Sequence, residues 1–224
     1  MNVRIKEYRH FSFDLWLTII KSHPKYKCCR DRLLRDYFSI SKSIQSVAEV
    51  VRYYDLLCND ISQKTGRHFH FSEIILLILK RLRVTIDDID QESILLFYEE
   101  TDSLLMDLKP KLIDDNVRSL FEKIRGEGKT MNIASNTAFI QGKTLRKVLD
   151  FYELSDLFSF QTYSDEIGFS KPSSFFFDAI FENIKRIDKN ITKKDVVHIG
   201  DNSIADYKGA RLYGFNTILI KNEL

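Results

Sequence analysis

Four short stretches of this 224-residue chain carry residue types that could do chemistry together. They are Phe13-Asp14-Leu15-Trp16-Leu17-Thr18, Ser135-Asn136-Thr137, Lys171-Pro172, and Gly200-Asp201-Asn202 with Asp206 just beyond. Brought together, they supply three carboxylates, a hydroxyl, an amide and an ammonium. Clustered carboxylates repel one another unless a cation sits among them, and hard oxygen ligands select Mg²⁺. The Ser135 hydroxyl, Lys171 and backbone N–H groups suit a phosphate or another small anion.

The elements that must position these residues are legible in outline. Tyr8 to Asp14 reads as a strand ending in an acid, favoured by Phe11 and Phe13. From Lys109 onward helix and strand alternate. Helices are marked by Val117 to Ile124 (closed by Gly126 and Gly128), Leu145 to Leu149, Phe177 to Ile184 and Ser203 to Tyr213. Strands are expected at Thr130–Ala134, Phe158–Thr162, Val196–Ile199 and Thr217–Ile220. Such alternation predicts an α/β fold, a Rossmann-like parallel sheet in a three-layer αβα core. In these sheets functional residues gather beyond the carboxyl ends of the strands, where three of the four stretches fall, with Lys171-Pro172 before a helix between the last two.

Between Ser22 and Leu108 the texture is helical. Ile44, Val47, Ala48, Val51, Tyr54, Cys58 and Ile61 share one face of a 3.6-residue period, and Gly66 ends that helix. Pro24 is expected to open the first helix of the block. Ser72 is expected to cap a helix over Glu73–Leu82, and Thr85, with Asp88 three residues on, another running to Met106. Thr65-Gly-Arg-His-Phe-His-Phe71 reads as a loop, with His68 and His70 exposed. Four helices with short connections make a bundle-like unit of about 90 residues inserted after the first strand.

Composition narrows the classes. Hydrophobic residues make up 44% and charged residues 29%, with a net charge of +2, which excludes a disordered chain. The balance gives no global field for nucleic acid or an anionic membrane, and no Arg-Lys stripe with interleaved aromatics appears. Neither a nucleic-acid partner nor a membrane is therefore expected. The apolar run Ile74–Leu79 is far short of the roughly 20 residues that span a bilayer. Cys28, Cys29 and Cys58 suit neither a disulfide framework nor a zinc site. Without a signal peptide the terminal Lys-Asn-Glu-Leu is no retention signal, and the expectation is a cytoplasmic protein. His198, inside a strand, reads as a core histidine, and Phe175-Phe176-Phe177 as helix-to-sheet packing.

With Asp14 and Thr18, Ser135-Asn136-Thr137, Lys171-Pro172, and Gly200-Asp201 with Asp206 in this order, the chain resembles the haloacid dehalogenase (HAD) superfamily of hydrolases over essentially its whole length. The resemblance implies a discontinuous core of residues 1–20 and 109–224, with residues 21–108 as a helical cap that closes over the site and chooses the substrate. It implies Asp14 as nucleophile, forming an aspartyl intermediate. Mg²⁺ would be held by the Asp14 carboxylate, the backbone carbonyl of Trp16 and Asp201, with Asp206 a ligand or a support. Ser135 and the amide N–H of Asn136 would bind phosphoryl oxygens. Lys171 would neutralise charge on the nucleophile and transferring group, and Thr18 would brace the loop after Asp14. The implied partner is a small phosphorylated metabolite.

One departure stands out. The family's phosphatases carry a second aspartate two residues after the nucleophile, which protonates the leaving group and then activates water. Here Trp16 occupies that position, and an indole cannot exchange a proton at neutral pH. Three consequences are open. One is a phosphatase of substrates whose leaving group needs little protonation, such as acyl phosphates. Another is a cap residue supplying the acid or base, with Lys21, His23, His68 and His70 as candidates. Or the protein is a catalytically weak phosphate-binding relative, or a 2-haloacid dehalogenase, whose halide leaves without a proton.

Overall fold

A computed structural model describes residues 5–85 and 89–220. Asp88 and the terminal Lys-Asn-Glu-Leu lie outside the described residues.

The central sheet has five parallel strands: β1 His10–Phe13, β4 Thr130–Ser135, β5 Phe160–Tyr163, β6 Val196–Gly200 and β7 Asn216–Leu219. Their order is β5-β4-β1-β6-β7. β1 pairs with β4 (Phe13 opposite Ile133) and with β6 (Phe13 opposite Ile199), so Asp14 emerges between two buried neighbours. The helices α5 Val117–Gly126, α6 Gly142–Phe151, α7 Ser164–Ile167, α8 Ser174–Ile187 and α9 Gly209–Tyr213 intervene. The alternation expected from the sequence is present.

Strand periodicity divides the residues of β1 between two environments. Phe11 and Phe13 enter an apolar cluster with Met131, Ile133, Val197, Ile199, Phe121 and Leu145. His10 and Ser12 enter a polar layer buried beneath α8. Ala134, Val196, Phe176 and Phe177 fill that second side. Phe176 and Phe177 pack as expected, whereas Phe175 is exposed and rests against Phe169, with ring centroids 4.8 Å apart.

His10 is held by Thr130 Oγ1 at Nδ1 (2.7 Å) and Asn132 Oδ1 at Nε2 (2.8 Å). Because Asn132 Nδ2 donates to Ile133 O, its oxygen accepts, so Nε2 carries the proton and the ring is neutral. Burial lowers the His10 pKa to about 4. The unfolded imidazole protonates below about pH 6.5 and the folded one only near 4, so the unfolded state binds more protons in between. Stability is expected to fall by about 2 kcal/mol from pH 7 to pH 5 through His10. Urea unfolding at both pH values checks this, and His10→Gln should lessen the fall by its share, the buried His68 keeping its own.

The chain passes from β1 through β2 (Ile20–Lys21) into four helices, α1 Tyr26–Tyr37, α2 Ile44–Thr65, α3 Phe71–Arg81 and α4 Gln91–Asp107. It returns through β3 (Lys111–Leu112), which pairs antiparallel with β2. The four helices share their own apolar cluster, including Leu34, Val47, Val51, Ile74, Ile78 and Phe97. Ser43 caps α2, and Gly66 ends it at φ 72°, a left-handed conformation that glycine adopts freely.

Three helix starts differ from expectation. α1 begins at Tyr26, two residues beyond Pro24. α3 begins at Phe71 because Glu73 accepts the His70 N–H (2.7 Å) and Phe71 is buried at once. α4 begins at Gln91, where Asp90 accepts the Ser93 N–H (2.7 Å); Thr85 is not helical. Among the described residues no helix is long and apolar enough to cross a membrane.

Candidate active site

Asp14 leaves β1 with its N–H donated to Ile199 O (2.8 Å). The chain then turns tightly, with the N–H groups of Thr18, Ile19 and Ile20 all converging on Leu15 O. That turn returns Thr18 to Asp14, and its Oγ1 donates to Asp14 Oδ2 (3.0 Å). Asp14 and Thr18 are both buried.

Lys171 reaches the same point from the loop before α8. Its Nζ donates to Asp14 Oδ1 (2.7 Å), Asp206 Oδ1 (2.7 Å) and Ala134 O (2.6 Å), so all three ammonium protons are engaged. At 1% exposure it is an enclosed cation between two carboxylates. Burial alone would lower the Lys171 pKa, but Asp14 and Asp206 overcome this and raise it. Asn136 holds the lysine loop in place. Its Nδ2 donates to Lys171 O (3.0 Å) and its Oδ1 accepts the Lys171 N–H (2.7 Å). The Asn136 side chain is therefore a brace for the lysine loop, and the residue borders the cleft.

Asp206 comes from a one-turn π-helix, Ser203–Lys208, rather than the single α-helix expected over Ser203–Tyr213. Asn202 builds the turn. Its Oδ1 accepts from the N–H groups of Ile204 and Ala205 (2.9 Å each), and its carbonyl accepts from Tyr207 (3.1 Å). Asp206 Oδ2 then accepts the Asn202 N–H (3.0 Å), while Oδ1 takes Lys171 and His198 Nε2 (3.1 Å). His198 is a core histidine as expected, bonded on its other side to Ser12 Oγ (3.0 Å), but it also fixes Asp206. Burial would raise Asp206; Lys171 and His198 overcome this and hold it below the ordinary carboxylate range.

Gly200 makes this approach possible. A Cβ there would stand 2.3 Å from Asp206 Cγ and Oδ2. Gly200→Ala is expected to cost about 2–3 kcal/mol by overpacking and to displace Asp206. Chemical denaturation checks the stability.

Asp14, Asp201 and Asp206 each offer an oxygen within 4.8 Å of the others. Burial pushes Asp14 up to about 7 against the pull of Lys171, with Asp206 and Asp201 adding to the rise. Asp201, half-buried, is raised by burial and by Asp206. The cluster thus holds more negative charge than one lysine balances. Three hard oxygen donors around a charge deficit fit Mg²⁺. Asp206 already serves three protein donors, so it fits the supporting role better than that of a ligand.

The cluster opens into a cleft of about 540 Å³ between the strand ends and the inserted helices. Asp14, Trp16, Asn136, Lys171, Asp201 and Asp206 line one side. Tyr26 and Arg30 of α1, and Asp55, Asn59 and Gln63 of α2, line the other. Ser135 is fully enclosed, with its hydroxyl donated to Asn136 O (3.2 Å). Lys21, His23, His68 and His70 do not border the cleft. His68, expected in solvent, is buried against Ser164 Oγ (3.0 Å), and burial lowers its pKa to about 4. The polar stripe Asp55, Asn59 and Gln63, each four residues apart, was a readable helical signal that the apolar face of α2 overshadowed.

Comparison with known proteins agrees with this fold. Over 87 residues the chain is 32% identical to an uncharacterised hydrolase of Schizosaccharomyces pombe; the match covers 38% of the chain and only 36% of that relative. The magnesium-bound HAD hydrolase YfnB of Bacillus subtilis shares the fold (TM-score 0.70, 21% identity, 96% of this chain and 89% of that one). So does a HAD phosphatase of Thermococcus onnurineus (TM-score 0.65, 18% identity, 96% and 87%). The family model of the haloacid dehalogenase-like hydrolases matches residues 8–214, and the chain belongs to that family.

Proposed function

We propose that this HAD-superfamily hydrolase is a Mg²⁺-dependent phosphatase of small phosphorylated metabolites, with residues 1–20 and 109–224 as its core and 21–108 as its cap. The observation that carries the reading is Asp14 beside both Lys171 and the Asp201–Asp206 carboxylates, facing a cleft. Asp14, the Trp16 carbonyl and Asp201 would hold the ion, supported by Asp206. When bound, the ion draws negative charge off the phosphoryl oxygens and keeps Asp14 ionised.

The Asp14 carboxylate attacks phosphorus, the bond to the leaving oxygen breaks, and an aspartyl phosphate forms. Water then cleaves that acyl phosphate and regenerates Asp14. Lys171 offsets the charge that develops on Asp14 and the transferring group. The Asn136 N–H and Ser135 receive phosphoryl oxygens, Ser135 exchanging its bond to Asn136 O for one to the substrate. Thr18 keeps the Asp14 carboxylate oriented.

Trp16 offers no proton to the leaving oxygen. Groups that depart as stable anions, such as the carboxylate of an acyl phosphate, are therefore favoured over alkoxides. The Thermococcus onnurineus phosphatase and the magnesium of YfnB accord with this reading. A 2-haloacid dehalogenase is the second reading, favoured by Trp16 at the cleft, because a halide needs no proton.

A turnover screen over phosphates and haloacids, with and without EDTA, separates the two. The phosphatase reading expects phosphate release that EDTA abolishes. Halide release that survives EDTA selects the dehalogenase, and no turnover of either class selects a binding relative. Mg²⁺ is also expected to raise Tm, as any ligand of the native state does, and Asp201→Asn to remove most of that shift.

A further inference from the structure

The cleft holds a second built feature that the phosphoryl chemistry does not use. Tyr26 and Arg30 stand one turn apart on α1, and both border the cleft. They are 2% and 8% exposed, yet neither is fully partnered. The Tyr26 hydroxyl makes no hydrogen bond among the described residues. Arg30 donates from Nε and Nη2 to Asp31 Oδ1 (3.0 and 2.8 Å), leaving Nη1 without an acceptor among them.

The guanidinium lies 4.6 Å from the ring centroid of Phe139, which also borders the cleft. Fork and ring together fix its plane, which pre-organises the remaining donors. A buried ion pair is costly and seldom justified by stability alone. Once a substrate displaces water, Nη1 and the phenol need acceptors. An apolar leaving group would leave them bare at about 1–3 kcal/mol each; a neutral hydroxyl or carbonyl accepts from them weakly, and an oxyanion accepts from both with charge-assisted bonds about twice as strong. On the α2 wall Asp55 repels such a group, while Lys27, beside Tyr26 on α1 and also bordering the cleft, attracts it and offsets the Asp31 carboxylate that pairs with Arg30.

We infer that the leaving group carries a second oxyanion, a carboxylate or a second phosphate, docked on Arg30 and Tyr26. The inference rests on the phosphatase reading for the reacting end of the substrate only.

Inert phosphonates test it independently of turnover. Calorimetric titration with Mg²⁺ compares alkylphosphonates, ω-carboxyalkylphosphonates and α,ω-bisphosphonates of graded chain length. At one length or more the charged series should bind about tenfold tighter than the alkyl series. The larger of the two gains identifies the oxyanion. Tyr26→Phe, which keeps the ring, should reduce the gain about threefold, and Arg30→Lys about tenfold, in proteins shown to be folded by thermal unfolding. Equal affinities at every length, a gain retained in both variants, or no binding by any phosphonate would overturn the inference. Failure of the phosphatase reading looks different: no ester is turned over, or turnover survives Asp14→Asn, while the phosphonate ratio stands.

Discussion

Asp14→Asn is expected to reduce phosphate release by about 10⁴-fold or more, because the amide cannot attack phosphorus and no other residue repeats its position. The variant should still fold. Lys171 keeps Asp206 and Ala134 O as acceptors, so its ammonium is not left bare. Binding of a phosphonate should survive within about tenfold, since the Asn136 N–H and Lys171 remain. Steady-state rates, with Tm and phosphonate titration as controls, check all three points. Loss of activity together with loss of folding would assign Asp14 a structural role only.

Trp16→Asp is expected to act in the opposite direction. A carboxyl two residues after the nucleophile would supply general acid–base catalysis, which is worth about 10²–10⁴-fold. The gain should appear with alkyl phosphates, whose alkoxides need a proton. It should be small with p-nitrophenyl phosphate or acetyl phosphate, whose leaving groups do not. Trp16 is partly exposed and packs at the edge of the core cluster, so some stability is lost with its ring. A rate gain in spite of that loss is the expected result. Equal effects on both substrate types would show that leaving-group protonation does not limit the enzyme.

The strands and the order of the site residues were legible because each leaves a local mark. Phe11 and Phe13 alternate with His10 and Ser12, and Asp14, Asn136 and Asp201 directly follow β1, β4 and β6. Less legible were features that depend on distant partners. His198 is an unremarkable strand residue until β6 sets it opposite Ser12 and the π-turn brings Asp206 to its ring. That π-turn needs Asn202 to satisfy two N–H groups at once, which no hydrophobic period reports. The β2–β3 ribbon has two residues per strand, too short for any alternation to show. His68 looked exposed because its neighbours are polar; its partner, Ser164, lies 96 residues away. The start of α4 was displaced because Thr85 and Asp90 both carry capping side chains, and the structure uses Asp90.

The central claim is that Asp14 becomes covalently phosphorylated. Rapid acid quenching of the enzyme during turnover of acetyl phosphate with Mg²⁺, then peptic digestion in acid, which preserves an acyl phosphate, and mass analysis of the peptide that carries Asp14 measures it directly. The peptide should be about 80 Da heavier, one phosphoryl group, with fragments placing the gain on Asp14. An unmodified peptide throughout turnover, with phosphate released at full rate, would contradict the account.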